Sequence, residues 1–358
     1  MTVTKTKGNT VLDFVPSDYC PEASKSWFVI PEGPDAGKKL FFFDYTNGTG
    51  TPDATIVFVH GNPESSYTYR KVINTLGLRN SGHFRIIAMD HIGFGLSDQA
   101  TYEMVDMHHA NNLLQLVRYL DLQNVTLVIH DWGGPIGVGA FIREPQRVSN
   151  LIVLNTTIFP MPPDGPLYTN YPIRFLPWSG FPSLVPNSLW GIHAAFSIIT
   201  PPRNAISLIF NYVLYAIRVA LKALPEKDKD AQIVFRRQFA STINARSSKR
   251  QVRQTPFWGH GYVYDEPTLG KQDNREFYKY MQENINRFWG PEGSNISVRA
   301  VLGEWDPLAK NSVIEQWTTA LPQLAGHVKT FLDTSHFVEE TKGEEIADAI
   351  IEVAFSLK

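Results

Sequence analysis

Three short segments carry side chains whose types and order suit hydrolysis through a covalent intermediate. The first is LVIHDWGGPIG at 127–137. An apolar run ends at His130 and a helix begins within Gly133 and Gly134, so Asp131 falls on a sharp strand-to-helix turn. Such a turn lifts its side chain into a pocket, and the N–H groups of the nascent helix point the same way. Taken alone, an aspartate there could equally cap the helix. The second segment, GEWDP, puts Asp306 on the loop after a strand at 296–302. The third, DTSHFVEE, puts His336 on the loop after a strand at 328–332. Asp306 also suits a turn before Pro307, and His336 a surface loop. Their shared order of nucleophile, acid and histidine, each at the carboxyl end of a strand, argues for one site.

An aspartate at this turn narrows the chemistry. A serine that displaced a leaving group from saturated carbon would become an ether, which histidine and water do not cleave. A carboxylate becomes an ester, whose carbonyl water can attack. Alkyl halides and epoxides are the main substrate classes for such a scheme. His336 would take a proton from the attacking water. Asp306 would orient His336 and stabilise its imidazolium. The scheme needs no metal and no organic cofactor.

The elements that must hold these residues alternate. β-Branched runs at 54–59, 84–89, 125–130 and 148–155 read as buried parallel strands. Helical spacing fills 69–78, 104–120 and 135–143 between them, which implies a parallel sheet with right-handed crossovers. An antiparallel pair at 27–30 and 40–45 precedes this pattern. From 159 to 267 the strands stop. That stretch is rich in Pro and aromatic residues, with helices expected near 187–199, 204–224 and 231–246, and reads as an inserted helical cap. The alternation resumes with a helix at 275–288, a strand at 296–302, a helix at 312–320, a strand at 328–332 and a helix at 344–355. The expected main domain is therefore 26–158 with 268–358, and 1–25 reads as a loosely attached extension.

The chain has 358 residues, 43% of them hydrophobic, and a net charge of −2. It can build a large core and carries no charge excess that would call for nucleic acid. Cys20 is the one cysteine, so intramolecular disulfides and thiolate clusters are excluded and a reducing, cytoplasmic setting is expected. The most apolar stretch, 206–221, carries Ser207, Asn211 and Arg218 and is shorter than a bilayer span of ~20 residues. A cap helix, or one at a protein or lipid interface, is expected there. That helix and the extension are surfaces through which a homo-oligomer could form. His60 and His130 read as structural groups at strand ends, and the adjacent pair His108 and His109 as no metal site. DHIGFGLSD at 90–98 reads as a tight turn rather than a dinucleotide fingerprint. Phe175, Trp178, Trp190, Phe196, Tyr212 and Tyr215 read as cap core, with an apolar tunnel lining as the functional alternative.

The segments HGNPESSYTYR at 60–70, DHIGFGLSD at 90–98, VIHDWGG at 128–134, GEWDP at 303–307 and SHFVEE at 335–340 resemble haloalkane dehalogenases. The resemblance covers most of the main domain, is weak in the cap and is absent from the extension. It implies an α/β-hydrolase fold, with a mostly parallel sheet flanked by helices and an inserted helical cap. It also implies dehalogenation of small apolar haloalkanes by water to alcohol and halide. The indole of Trp132 and the amide of Asn62 match the positions that hold the halide, and the backbone N–H groups of the same two residues would hold the oxyanion. The chain departs from part of the family at Asn155, where some members carry the acid. It is most similar to the subgroup that pairs an Asp-His-Asp triad with Asn and Trp donors, with Glu304 a second candidate acid. An epoxide hydrolase is the nearest rival and would need two cap tyrosines from among Tyr168, Tyr171, Tyr212 and Tyr215. Against it, Ile129 stands where epoxide hydrolases usually carry glycine. A luciferase-like oxygenase is a more distant rival, and a non-catalytic ligand receptor on the same fold is the non-enzyme alternative.

Overall fold

The β-branched runs of the sequence assemble into one nine-stranded sheet. The computed structural model describes residues 2–79, 82–163, 180–199, 205–224 and 229–355. In chain order the first half comprises β1 (Thr2–Thr4), β2 (Lys25–Val29), β3 (Lys39–Thr46), β4 (Ala54–Val59), α1 (Arg70–Arg79), β5 (Phe84–Met89), α2 (Asp106–Tyr119), β6 (Val125–His130), α3 (Gly133–Phe141) and β7 (Val148–Leu154). Helices α4 (Gly180–Leu184), α5 (Trp190–Ile199), α6 (Ala205–Ala220), α7 (Lys229–Arg237) and α8 (Thr242–Gln254) follow, then the hairpin of β8 (Val263–Glu266) and β9 (Gly270–Asp273). The chain finishes with α9 (Arg275–Trp289), β10 (Ser297–Gly303), α10 (Asn311–Ala320), β11 (Val328–Phe331) and α11 (Gly343–Ala354).

The sheet order is β1-β2-β3-β5-β4-β6-β7-β10-β11. Pairing is antiparallel from β1 through β3 to β5, and parallel from there on. Strand β6 lies near the middle and every one of its residues is buried, as expected for a parallel strand covered on both faces. Helix α3, GGPIGVGAF, is also buried throughout. A helix apolar on all sides belongs inside the molecule. Helix α9 buries Phe277, Met281 and Ile285 at four-residue spacing, the single apolar stripe of a helix packed on one face.

Three expectations change. Residues 1–25 are not loosely attached. Strand β1 extends the sheet by pairing with β2, Leu12 is fully buried, and the hydroxyl of buried Tyr19 donates to Asp90 at 2.7 Å. Second, the single helix expected at 231–246 is two, α7 and α8. Gln238 lies between them, accepting from the Gly95 N–H at 3.0 Å and donating to the Pro63 carbonyl at 3.0 Å. These long-range bonds override local helical preference. Third, the stretch after α8 holds a β-hairpin in addition to turns.

Tyr168, Tyr171, Phe175 and Trp178 fall outside the described residues. Trp190 is buried, Phe196 packs edge-on against Tyr212, and Tyr215 lies against Phe196. Along α6 and the turn after it, Phe210, Val213, Ile217 and Leu221 are exposed. Among the described residues no helix is long and apolar enough to cross a membrane.

Tyr19 tests the attachment of the N-terminal segment. Tyr19→Phe removes a donor from buried Asp90, and leaving a buried acceptor short of a partner costs roughly 1–3 kcal/mol. A chemical denaturation midpoint lowered accordingly is the expected result.

Candidate active site

The turn after β6 holds Asp131 at φ 47°, a left-handed conformation that costs a residue with a Cβ about 1–3 kcal/mol. Three glycines make room for it. A Cβ on Gly61 would lie 2.5 Å from the Asp131 Cβ, one on Gly133 2.1 Å from the Val59 carbonyl oxygen, and one on Gly134 1.9 Å from Thr156 Oγ1. Thr156 donates to the Asp131 carbonyl at 2.5 Å, which ties the turn to the end of β7.

Asp131 is 1% exposed, and its two carboxylate oxygens have separate partners. Oδ2 accepts from the Asn62 backbone N–H at 2.8 Å. Oδ1 lies 3.3 Å from His336 Nε2. On the far side of the ring, His336 Nδ1 meets Asp306 Oδ2 at 2.5 Å. Asp306 also caps the turn that follows it, accepting from the Leu308 N–H at 3.1 Å. Of the two acids considered in the sequence, the histidine is bonded to Asp306, and the Glu304 backbone pairs with Phe331.

Asn155, which takes the place of an acid in part of the family, serves Asp306 instead. Its Nδ2 donates to Asp306 Oδ2 at 2.8 Å, and its amide also exchanges hydrogen bonds with Gly303 at 3.0 and 2.8 Å. The acid at the histidine comes from the loop after β10, and Asn155 holds it in place.

The imidazole of His336 is buried, which works against its charge, but Asp306 and Asp131 outweigh this and raise its pKa well above the usual histidine value. The two carboxylates thus favour its charged form in the free protein. This pairing stabilises the fold at low pH, where the unfolded histidine is also charged, and is lost as pH rises through the raised value.

Asn62 is 5% exposed. Its side-chain oxygen accepts from the Ser248 hydroxyl, and Ser248 in turn accepts from the Trp190 indole at 2.8 Å. This chain fixes the orientation of the amide. The Asn62 Nδ2 group is left buried and without a hydrogen-bond partner. Trp132 is 2% exposed and stacks on Trp258 with ring centroids 3.9 Å apart. The Trp258 N–H is taken by the Thr157 carbonyl at 2.6 Å. Of the two backbone donors expected for the oxyanion, Asn62 touches the Asp131 carboxylate.

Sequence reasoning did not single out Ser248, Trp258, Thr156, Glu64 or Glu339. Glu64 and Glu339 stand inside the HGNPESSYTYR and SHFVEE segments, so their positions were visible although their burial was not. His60 behaves as expected. Its Nε2 accepts from the His91 N–H at 3.1 Å, and burial first, then His91, pushes its pKa well down. His108 is a helix-start group, accepting from the Val105 N–H at 3.1 Å. In DHIGFGLSD, Asp90 accepts from the N–H groups of Ser66 and Leu96 at 2.8 and 2.7 Å, a closed turn beside the Asn62 loop. Among the described residues, Glu64, His130 and His336 bring ligand-type atoms within 4.8 Å of one another. Both ring nitrogens of His130 already face oxygen acceptors, so hydrogen bonding accounts for that cluster.

This topology, with the three residues at the carboxyl ends of β6, β10 and β11, is that of an α/β hydrolase. Residues 54–186 match the α/β-hydrolase fold family. A haloalkane dehalogenase of Mycolicibacterium smegmatis is 31% identical over 336 residues, covering 88% of this chain and 87% of that protein. A cis-3-alkyl-4-alkyloxetan-2-one decarboxylase of Shewanella oneidensis is 28% identical over 314 residues, covering 87% of this chain and 83% of that protein. Among solved structures, the tetrameric haloalkane dehalogenase DpaA from Paraglaciecola agarilytica NO2 superposes with a TM-score of 0.63 at 22% identity, covering 99% of each chain. The chain belongs to the haloalkane dehalogenase family of the α/β-hydrolase superfamily.

The proton on His336 can be tested directly. Asp306→Asn removes the main charge that holds it, so nitrogen NMR should show the His336 imidazolium titrating at a lower pH than in the parent protein. An unchanged titration would mean that Asp306 does not set its charge.

Proposed function

We propose that this chain hydrolyses the carbon–halogen bond of small apolar haloalkanes through an alkyl ester on Asp131. The observation that carries the reading is the Asn62 amide, whose Nδ2 is buried, unpartnered and fixed in orientation, beside a carboxylate already placed between an N–H donor and a histidine. A buried donor with no partner costs about 1–3 kcal/mol, and an incoming anion or developing negative charge relieves that cost.

Asp131 Oδ1 attacks the halogen-bearing carbon, a C–O bond forms as the C–halogen bond breaks, and the electron pair leaves with the halide. Asn62 Nδ2 and the Trp132 indole N–H hold the departing anion. Esterification removes the charge of Asp131, one of the two carboxylates that keep the proton on His336, so the imidazole releases that proton to solvent. The neutral ring then takes a proton from water as the water attacks the ester carbonyl. Asp131 Oδ2 becomes the oxyanion, held by the Asn62 backbone N–H. Collapse returns the carboxylate and frees the alcohol, while Asp306 balances the imidazolium.

Epoxide opening and β-lactone opening use the same attack at saturated carbon, and they differ in the leaving oxygen. The fixed Asn62 amide with the Trp132 indole suits a diffuse halide. Ring-opened epoxide oxygen needs a proton donor, the role of paired tyrosines. A ligand receptor on this fold can keep the same residues, and bromide release separates it from an enzyme.

With 1,2-dibromoethane or 1-bromobutane the protein should release bromide and acid in equal amounts, and styrene oxide should be consumed far more slowly. His336→Phe should release one bromide per protein and retain an alkyl adduct on Asp131, seen by intact mass. Absence of the adduct would refute the ester route.

Removing the halide donor acts on the other half of the reaction. Asn62→Ala should slow bromide release by about a hundredfold, as loss of an anion-stabilising donor costs ~3 kcal/mol. Ser248→Ala frees the amide to turn, and the loss of one ordinary hydrogen bond of about 1 kcal/mol predicts a fivefold effect. Equal rates for parent and Asn62→Ala in rapid-quench bromide assays would remove Asn62 from the halide site.

A further inference from the structure

Directly beneath His336 lies a second acid–histidine cluster that the proposed reaction leaves unused. His130 ends β6, one residue before Asp131, and is fully buried. Its Nδ1 meets Glu64 Oε1 at 2.7 Å and its Nε2 meets the His336 carbonyl oxygen at 2.8 Å. Glu339, from the 3-10 turn Val338–Glu340, reaches within 3.6 Å of the same Nε2. Thr68 fixes Glu339 by donating to its Oε1 at 2.7 Å. Glu64 and Glu339 are both fully buried. The rings of His130 and His336 lie 4.7 Å apart.

The acceptors determine the state of His130. A carbonyl oxygen can only accept, so Nε2 carries a proton. Nδ1 faces a carboxylate, and a second one stands close by. Burial works against charge on this ring, but Glu339 and then Glu64 outweigh it and bring its pKa to about 9. Burial in turn pushes Glu64 up, and Glu339 up to about 7, with His130 opposing both shifts. Among the described residues, the ionisable groups around His130 are Glu64 from the loop after β4, Glu339 from the 3-10 turn, His336 from the loop after β11, Asp131 beside it on the elbow, and the buried Tyr69 hydroxyl, which feels both glutamates. His60, held neutral by burial, lies further along the same strand ends.

Neither a helix cap nor a sheet bond calls for this arrangement. Its bond toward the site runs from His130 to the backbone of His336. A charge-assisted bond from His130 to that carbonyl holds the loop that carries the base. The positive charge also lies one ring away from a base that must lose a proton before it can act.

We propose that His130, held charged by Glu64 and Glu339, is a positioning residue for the hydrolytic half-reaction: it anchors the backbone of His336 and presents a fixed positive charge that favours the neutral form of the base. This rests on the reading of His336 as the base that activates water. Alkylation of Asp131 does not use that base, so the cluster acts on one step of two.

The experiment is rapid-quench analysis of His130→Gln and Glu64→Gln with 1-bromobutane, across a pH series. His130→Gln keeps a donor and loses the charge; Glu64→Gln is the milder change should the first variant fold poorly. In both, a burst of one bromide per protein should persist. Ester hydrolysis should then slow about tenfold, part of what general-base catalysis supplies, with the alkyl adduct visible by intact mass. In His130→Gln the pH below which hydrolysis fails should move upward, because the proton on His336 is no longer repelled by the neighbouring ring. A general structural defect would slow burst and hydrolysis together and leave the pH limb in place, and that result overturns the proposal. So does hydrolysis at the parent rate and pH. His336→Phe run alongside separates the two readings: if it accumulates no ester, the base assignment fails, whereas ester in His336→Phe with parent-like His130→Gln defeats the cluster alone.

Discussion

The strained turn at Asp131 is the constraint to which the surrounding structure answers. A residue with a side chain sits at φ 47°, and its carboxylate is thereby aimed at two partners on other loops. Holding it there requires close backbone approach on every side, so Gly61, Gly133 and Gly134 each stand where a Cβ would collide with its neighbours. It also requires a rigid base. Strand β6 supplies one by pairing with β4 and β7 and burying all six of its residues. The strain of about 1–3 kcal/mol is small against that burial, and it holds the carboxylate where the proposed attack requires it.

The fold was legible where burial leaves a compositional mark. A strand covered on both faces must be apolar along its whole length, so β4, β5, β6 and β7 stood out as β-branched runs. The elbow was legible because Gly133 and Gly134 follow Asp131 where a buried strand gives way to a helix, and Asp306 and His336 because each comes just after a short strand-like run. Other features leave no local mark. The edge strand β1 is three residues, Thr2–Thr4, partly exposed and polar. Its neighbour Tyr19 makes its decisive bond with Asp90, 71 positions away. The break between α7 and α8 arises from Gln238 reaching Gly95 and Pro63, and nothing in the residues near it announces a helix end. Ser248 lies 186 positions from the amide it orients. In each case the deciding interaction is tertiary, and the residue types are ordinary.

The departure at Asn155 shows how a site can keep its geometry while changing its parts. The acid now comes from the loop after β10, and Asn155 bonds both Asp306 and Gly303. An amide there can donate to the relocated carboxylate, which a second carboxylate could not do without repulsion. Asn155 thus holds the group that balances the histidine.

In the proposed reaction, charge conservation allows such a buried site to run on neutral donors. When a carboxylate displaces a halide, negative charge moves from Asp131 to the leaving atom and its total does not change. No cation has to be brought in, and amide and indole N–H groups suffice to receive a diffuse anion. The demanding moment comes afterwards, when a histidine between two carboxylates must give up a proton inside a low-dielectric interior. Esterification removes one of those carboxylates at that point. Electrostatics thus orders the steps of the proposed reaction: the base becomes available when, and because, the nucleophile has been consumed.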